Sequence, residues 1–236
     1  MKFAIKIVAV CAVLTWAGGV FSQVSVAAEP HNVVQLASSG SVDVLQDLLT
    51  LTLGTSKEGS DPAAVQSQLR LALETALTEA KKAAQSGAME VRTGAFGLQP
   101  RYGRDGKING WTGTAELVLE GKDFGRIGTT AGKIQTLTIN NAAFSLSRDL
   151  RNKTETEAQA LAIDRFKAKA AEIAHSFGFG AYTLRDVAVN ANDQGYNPRP
   201  RMVAMEMKAM AADAPVPMEA GKSAVVVNVS GSVQLK

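Results

Sequence analysis

The most regularly patterned part of the chain is residues 86–121. Trp111, Gly113, Ala115, Leu117 and Leu119 alternate there with Thr112, Thr114, Glu116 and Glu120, and only Val118 interrupts the polar row. Period two predicts a strand with one buried face. Asp105-Gly106, inside a polar run, supplies the backbone freedom that a hairpin turn demands, so residues 86–121 read as two strands and a turn. Ahead of it, residues 33–44 are β-prone but broken by Ser38-Ser39-Gly40, and Leu49, Leu51 and Leu53 alternate with Thr50 and Thr52; these predict a first pair of strands.

Between these stretches the period changes. Asp61-Pro62 gives an N-cap followed by proline at the first helical position, where a missing N–H costs nothing. Val65, Leu69, Ala72, Leu73, Ala76, Leu77, Ala80 and Ala84 then form one apolar stripe, with Arg70, Glu74, Glu79 and Lys81 off it, predicting a long amphipathic helix closed by Gly87. The line of Ala72, Ala76, Ala80 and Ala84 would let another helix approach closely, and the second long helix is the candidate partner.

Residues 122–133 predict a short helix. Leu137, Ile139, Phe144 and Leu146 predict a strand whose phase slips at Asn140-Asn141, as at a bulge. Thr154 and Glu157 have capping-box spacing and predict the start of the second long helix, with Ala158, Ala162, Phe166, Ala170, Ile173 and Phe177 buried and Gly178 and Gly180 ending it. Residues 182–189 are extended. Val225, Val227, Val229, Gly231, Val233 and Leu235 alternate with polar residues in a terminal strand expected to be pinned into a sheet. The fold class is therefore α+β, an antiparallel sheet with two long amphipathic helices; residues 49–120 and 143–236 each follow a strand–helix–strand–strand order, which suggests two βαββ units.

The first 28 residues follow other rules. Lys2 and Lys6 flank the start of an apolar run ending at Phe21, and Val26-Ala27-Ala28 places small residues before Glu29, the signature of a secretory signal peptide cleaved near Ala28. The run is shorter than the roughly 20 apolar residues of a membrane span. The organisation is thus residues 1–28 as signal peptide and 29–236 as one domain, periplasmic or secreted, with no stable transmembrane span in the mature chain. Cys11, the only cysteine, lies inside the run and away from the position of a lipid-modified cysteine, so the mature chain has no thiol for catalysis, metal or disulfides. Removing Lys2 and Lys6 leaves 23 basic and 22 acidic residues, a formal charge of +1 in place of +3, which argues against a nucleic-acid partner.

No set of residues has the makeup of a catalytic, cofactor-binding or metal centre. His31 and His175 lack a partner placed by spacing to orient a base, and His175 reads as a cation near a helix C-terminus. GRIGTTAGK, residues 125–133, resembles a phosphate loop but has Ile127 where glycine is needed and Ile134 after the lysine. Residues 192–217, rich in Asn, Pro, Met and Ala, predict an exposed arm. Met202, Met205, Met207, Met210 and Met218 fall in or beside it; packing against a neighbouring subunit is the first reading, with soft-metal binding and oxidant scavenging as alternatives. Arg101, Arg104, Arg199 and Arg201 are candidates to meet an acidic envelope polymer or lipid headgroup.

The chain resembles the SIMPL-domain family, which includes bacterial periplasmic immunogenic proteins. The resemblance is carried by Ala84-Gln85-Ser86-Gly87, by Val91-Arg92-Thr93 with Leu98-Gln99-Pro100-Arg101-Tyr102, by Gly110-Trp111 and Phe177-Gly178, and by Pro215-Val216-Pro217 with Ala220-Gly221-Lys222. The family has a Pro-Asp step before its second strand where this chain has Gln46-Asp47. The resemblance implies a periplasmic or secreted, oligomer-forming envelope protein, sometimes linked to stress tolerance, with no agreed enzymatic activity and hence no functional residues to carry over. The expected function is accordingly a non-enzymatic cell-envelope protein that forms a homo-oligomer. A metal-binding or oxidant-scavenging stress protein acting through the methionine arm is the alternative.

Overall fold

The computed structural model describes residues 31–191 and 219–236. They fall almost wholly in the second of two compact units, residues 1–31 and 32–236. Strands β1 (Val33–Leu45) and β2 (Leu48–Gly59) lead into helix α1 (Pro62–Ala83). The hairpin β3 (Glu90–Tyr102) and β4 (Ile108–Gly121) follows, then α2 (Phe124–Lys133), β5 (Thr138–Ser145), α3 (Arg148–Ser176), β6 (Tyr182–Ala191) and β7 (Lys222–Leu235). The class is α+β as expected, with the strands divided between two antiparallel sheets of order β3-β4-β2-β5 and β1-β7-β6.

The repeated βαββ order has a spatial counterpart, with one exchange. In the first sheet β2, β4 and β3 lie side by side under α1; in the second, β1, β7 and β6 lie side by side with α3. The place held by β2 in the first is held in the second by β1, from the far end of the sequence. The strand that the sequence order gives to the second unit, β5, pairs with β2 instead, from Leu48 opposite Ser145 to Gly54 opposite Thr138. Its phase slip is present: the register shifts between Thr52 and Leu53, leaving Asn140 as the extra residue.

Each sheet has its own core. Leu49, Leu51 and Leu53 of β2 and Ala115, Leu117 and Leu119 of β4 meet Val65, Leu69, Leu73, Ala76 and Ala80 of α1, with Ile127 and Ala131 of α2 beside them. Burying each such leucine contributes about 1.5–3 kcal/mol. In the second core Leu36, Val227, Val229, Val233 and Leu235 meet Ala158, Ala162, Phe166, Ala170 and Ala174 of α3. The alanine line of α1 does not receive α3; α1 packs on β2, β3, β4 and α2, because each long helix has a sheet of its own to cover.

The break at Ser38-Ser39-Gly40 is a helix seat inside one continuous strand. A Cβ on Gly40 would lie 2.1 Å from the Ala158 carbonyl oxygen, and Ser38 Oγ donates to the Ala162 carbonyl at 2.7 Å.

Other boundaries moved for local reasons. Helix α3 begins at Arg148, capped by Ser147, whose Oγ accepts from Leu150 N; Thr154 is inside the helix, buried, its Oγ1 donating to the Leu150 carbonyl. Phe177, expected in the buried stripe, is 70% exposed, and Ala174 takes that place. Gly178 does end α3, with positive φ and its N–H donating to His175 O while Phe179 N–H donates to Ala174 O. Gly87 also has positive φ, but α1 ends earlier and Gly87 serves a turn in which Ala88 and Met89 N–H donate to Gln85 O. The Asp105-Gly106 turn is as expected, with Gly106 at φ 74°.

Candidate interaction surface

The residues singled out from the sequence do not converge. His31 is exposed at the start of the described chain and His175 is exposed in the last turn of α3. Residues 125–133 are a helix, not a loop, and Asp123 caps its N-terminus by accepting from Arg126 N, placing a carboxylate where a phosphate would need positive potential. Arg101 pairs with Glu58 across the sheet, and Arg104 stands in the exposed turn. Cys11, Arg199, Arg201 and the methionines Met202, Met205, Met207, Met210 and Met218 lie outside the described residues. Among the described residues no cluster of three His, Cys, Asp or Glu is placed to hold a metal, and no helix is long and apolar enough to cross a membrane.

The row Thr112, Thr114, Glu116 and Glu120 faces away from α1, opposite Glu58, Ser56, Gly54 and Thr50 of β2. Glu120 accepts from Thr50 Oγ1 at 2.9 Å and lies 3.6 Å from Arg92, and Glu116 accepts from Ala95 N. These groups screen the exception in the row, Val118, to 4% exposure. A shallow groove of about 520 Å³ runs between α1 and the segment joining α2 to β5, lined by Glu74, Glu79, Lys82, Lys133 and Thr136 among others. Its charges answer one another: the Lys82 ammonium, 2.6 Å from Glu79, holds that carboxyl below its ordinary range.

A junction that the sequence marked only as a departure from a family pattern ties the two sheets. Gln46 donates from its backbone to Gly221 O at 3.0 Å and from its side chain to Ser223 Oγ and Phe144 O, bonds to both sheets; a proline at 46 would lack all three. Asp47 accepts from the N–H and Oγ of Ser147, both at 2.6 Å, and pairs with Lys122 at 3.1 Å. Burial raises the Asp47 pKa, but the Ser147 hydrogen bonds and the Lys122 charge outweigh it and leave the carboxyl below its ordinary value.

The four sheet edges differ. On β1, Arg165 and Lys169 of α3 donate to the Ser39 and Ala37 carbonyls at 2.8 and 3.2 Å, covering it with cations. On β3, Pro100 removes a donor, Arg92 and Arg101 are paired with Glu120 and Glu58, and two register shifts break the line. Strand β5 is short and bulged, with the Gln46 amide on its Phe144 carbonyl.

Strand β6 has no such cover among the described residues. Its register against β7 shifts between Leu184 and Asp186, so Leu184, opposite Val233, and Val187, opposite Gly231, share the α3 side of the sheet with Tyr182, Val189 and Ala191. Helix α3 sits over β1 and β7 and reaches β6 mainly at Tyr182, whose OH donates to Lys167 O. Leu184, Val187 and Val189 are therefore 54%, 45% and 43% exposed in a row. Simple alternation in the sequence hides this row, because the bulge changes the phase midway.

Comparison with known proteins gives a family and little else. No curated protein matches the chain significantly. Two solved structures of AtUAH, one in complex with glyoxylate and one with (S)-hydroxyglycine, are 14% and 18% identical over 55% of this chain, with TM-scores of 0.26 and 0.21; likenesses this loose carry no argument. The chain spans about a third of the length of those solved chains. The family model, by contrast, runs from β1 to β7 and takes in both sheets: matched over residues 34–233, the chain belongs to the SIMPL family, a protein family of unknown function (DUF541).

Proposed function

We propose that this protein is a non-enzymatic, exported cell-envelope component that works as a self-associated assembly and serves stress tolerance in the envelope. The observation that carries the reading is the uncovered row Leu184, Val187 and Val189 on β6, a contiguous apolar strip on a strand whose outer side is free among the described residues. Single exposed apolar residues are ordinary, but a strip beside an open strand edge marks a contact surface. Export rests on the pattern of residues 1–28, and the absence of cysteine after Cys11 fits an oxidising compartment. The non-enzymatic reading is supported by the dispersal of the titratable candidates: His31, His175, Asp47 and Glu79 sit at separate places, and the three shifted carboxylates, Asp47, Glu79 and Asp123, are each engaged in structural bonds.

The test is to express the whole coding sequence and purify the protein as the cell processes it. Intact mass should show a chain beginning at Glu29, recovered from the periplasm or medium, and light scattering at micromolar concentration should show a species larger than one chain. An unprocessed cytoplasmic product, or a strict monomer, overturns the proposal.

A further inference from the structure

We propose that β6 is the self-association strand, pairing antiparallel with β6 of a second copy about a two-fold axis between Arg185 and Asp186. This deepens the self-association reading above and rests on it. Of the four edges, β1 is capped by Arg165 and Lys169, β3 is broken by Pro100 and ion pairs, and β5 is the shortest strand and carries the Gln46 amide on its Phe144 carbonyl; β6, though it has a bulge of its own, has no proline, helix cation or ion pair on its outer side among the described residues. An open edge takes another strand by completing backbone hydrogen bonds, and the facing side chains set the register.

The occupant follows from the sequence of the strand itself. Placing the axis between Arg185 and Asp186 sets Tyr182 against Val189 and Leu184 against Val187 of the second copy. All four of these residue types lie on the α3 side of the sheet, because the bulge brings Leu184 and Val187 to one face. On the opposite side Thr183 meets Ala188, and at the axis each Arg185 meets an Asp186, giving two complementary charge contacts from one symmetric arrangement. Sliding one copy by one residue sets Asp186 against Asp186, like charges, and Leu184 against Ala188, residues from opposite faces, so the neighbouring register is rejected. A strand that complements itself in face, size and charge at one register has a second copy as its natural partner. The product is a continuous six-stranded sheet, with the two α3 helices flanking a shared apolar strip of Leu184, Val187 and Val189.

Charge reversal with mixing tests this. R185E sets carboxylate against carboxylate at both contacts, and D186K sets cation against cation while also removing the acceptor of the Ser232 Oγ bond within the chain; each alone should weaken association roughly tenfold or more. Mixed in equal amounts the two variants are complementary at both contacts, so the mixture should recover the wild-type association, measured by sedimentation equilibrium over a dilution series. Far-ultraviolet circular dichroism checks folding, and recovery on mixing cannot come from a misfolded chain. If both variants associate as the wild type does, β6 is not the interface while self-association stands. If the wild type stays monomeric, both readings fall. If association appears only after residues 198–214 are deleted, the edge belongs to the chain's own segment and the second copy is overturned as its occupant.

Discussion

Leucine covers the four-stranded sheet and alanine the three-stranded one. Helix α1 brings Val65, Leu69 and Leu73 down onto leucines of β2 and β4, while α3 offers Ala158, Ala162, Ala170 and Ala174 around a lone Phe166. Long side chains hold a helix off its sheet and spread its contact; alanines let it settle close and narrow the strip it covers. The consequence is visible at the margins. Both helices reach the third strand of their sheet only lightly, but Val91 and Leu98 of β3 pack half-buried against the α1 core, whereas on β6 only Tyr182 packs against the α3 core and the rest of the strand lies in solvent. The same strand–helix–strand–strand plan thus gives one self-sufficient layer and one whose third strand is unfinished.

The largest expected effect breaks the close approach. Gly40→Val would drive a side chain into the α3 backbone, 2.1 Å from Ala158 O and 2.7 Å from Ala162 N at the Cβ alone. Overpacking costs about 1–3 kcal/mol when side chains can yield, and a helix backbone yields less, so a loss of about 3 kcal/mol or more is expected. For a chain of this size that is a fall of roughly 6–12 °C in Tm. Gly97→Val on β3, where nothing lies within 4 Å, should stay within about 0.5 kcal/mol of wild type. Equal losses in thermal melts of the two variants would remove the close-seat account of α3.

The elements were legible where one physical rule dominated. Period two in β4, the Asp61-Pro62 start of α1, the slip at Asn140-Asn141 and the Gly178 stop could be read because each depends on neighbours in sequence. What was not legible depends on residues far apart. Ser38-Ser39-Gly40 looks like a break until α3, more than a hundred residues on, is seen to lie against it. The exchange of β5 for β1 between sheets leaves each strand's pattern unchanged, and Ser147 could not be ranked above Thr154 as the cap while its anchor, Asp47, was a hundred residues away. The candidate surface was hidden for a related reason: a bulge moves Val187 onto the side of Leu184, and only the register against β7 reveals it.

A middle-sized effect probes what holds the two layers together. Asp47→Ala removes the acceptor of both Ser147 bonds and the partner of Lys122 at the junction, where a part-buried carboxylate with charged and backbone donors is worth roughly 1–3 kcal/mol. The sign with pH is fixed by the lowered pKa. A carboxylate depressed in the folded state contributes its stability above the unfolded value, near 3.8, and loses it as pH falls through the folded value. Urea denaturation should therefore separate wild type and variant at pH 7 and bring them together in acid below that range. A gap that is constant with pH would mean that packing, not the charge of Asp47, links the layers.

The smallest effect on stability belongs to the strip itself. Leu184→Ser changes a side chain that is 54% exposed, so the folded chain loses little burial relative to the unfolded one and stability should move by no more than about 0.5 kcal/mol. A leucine of the leucine-covered layer behaves otherwise: Leu117 is fully buried, and large-to-small replacement at such a site costs about 2–5 kcal/mol. The same Leu184→Ser chain, however, should associate more weakly than wild type in light scattering, because its side chain finds burial only against a second copy. A large loss of stability in the dilute monomer would show that β6 is already covered within one chain, and the contrast between a finished and an unfinished layer would disappear with it.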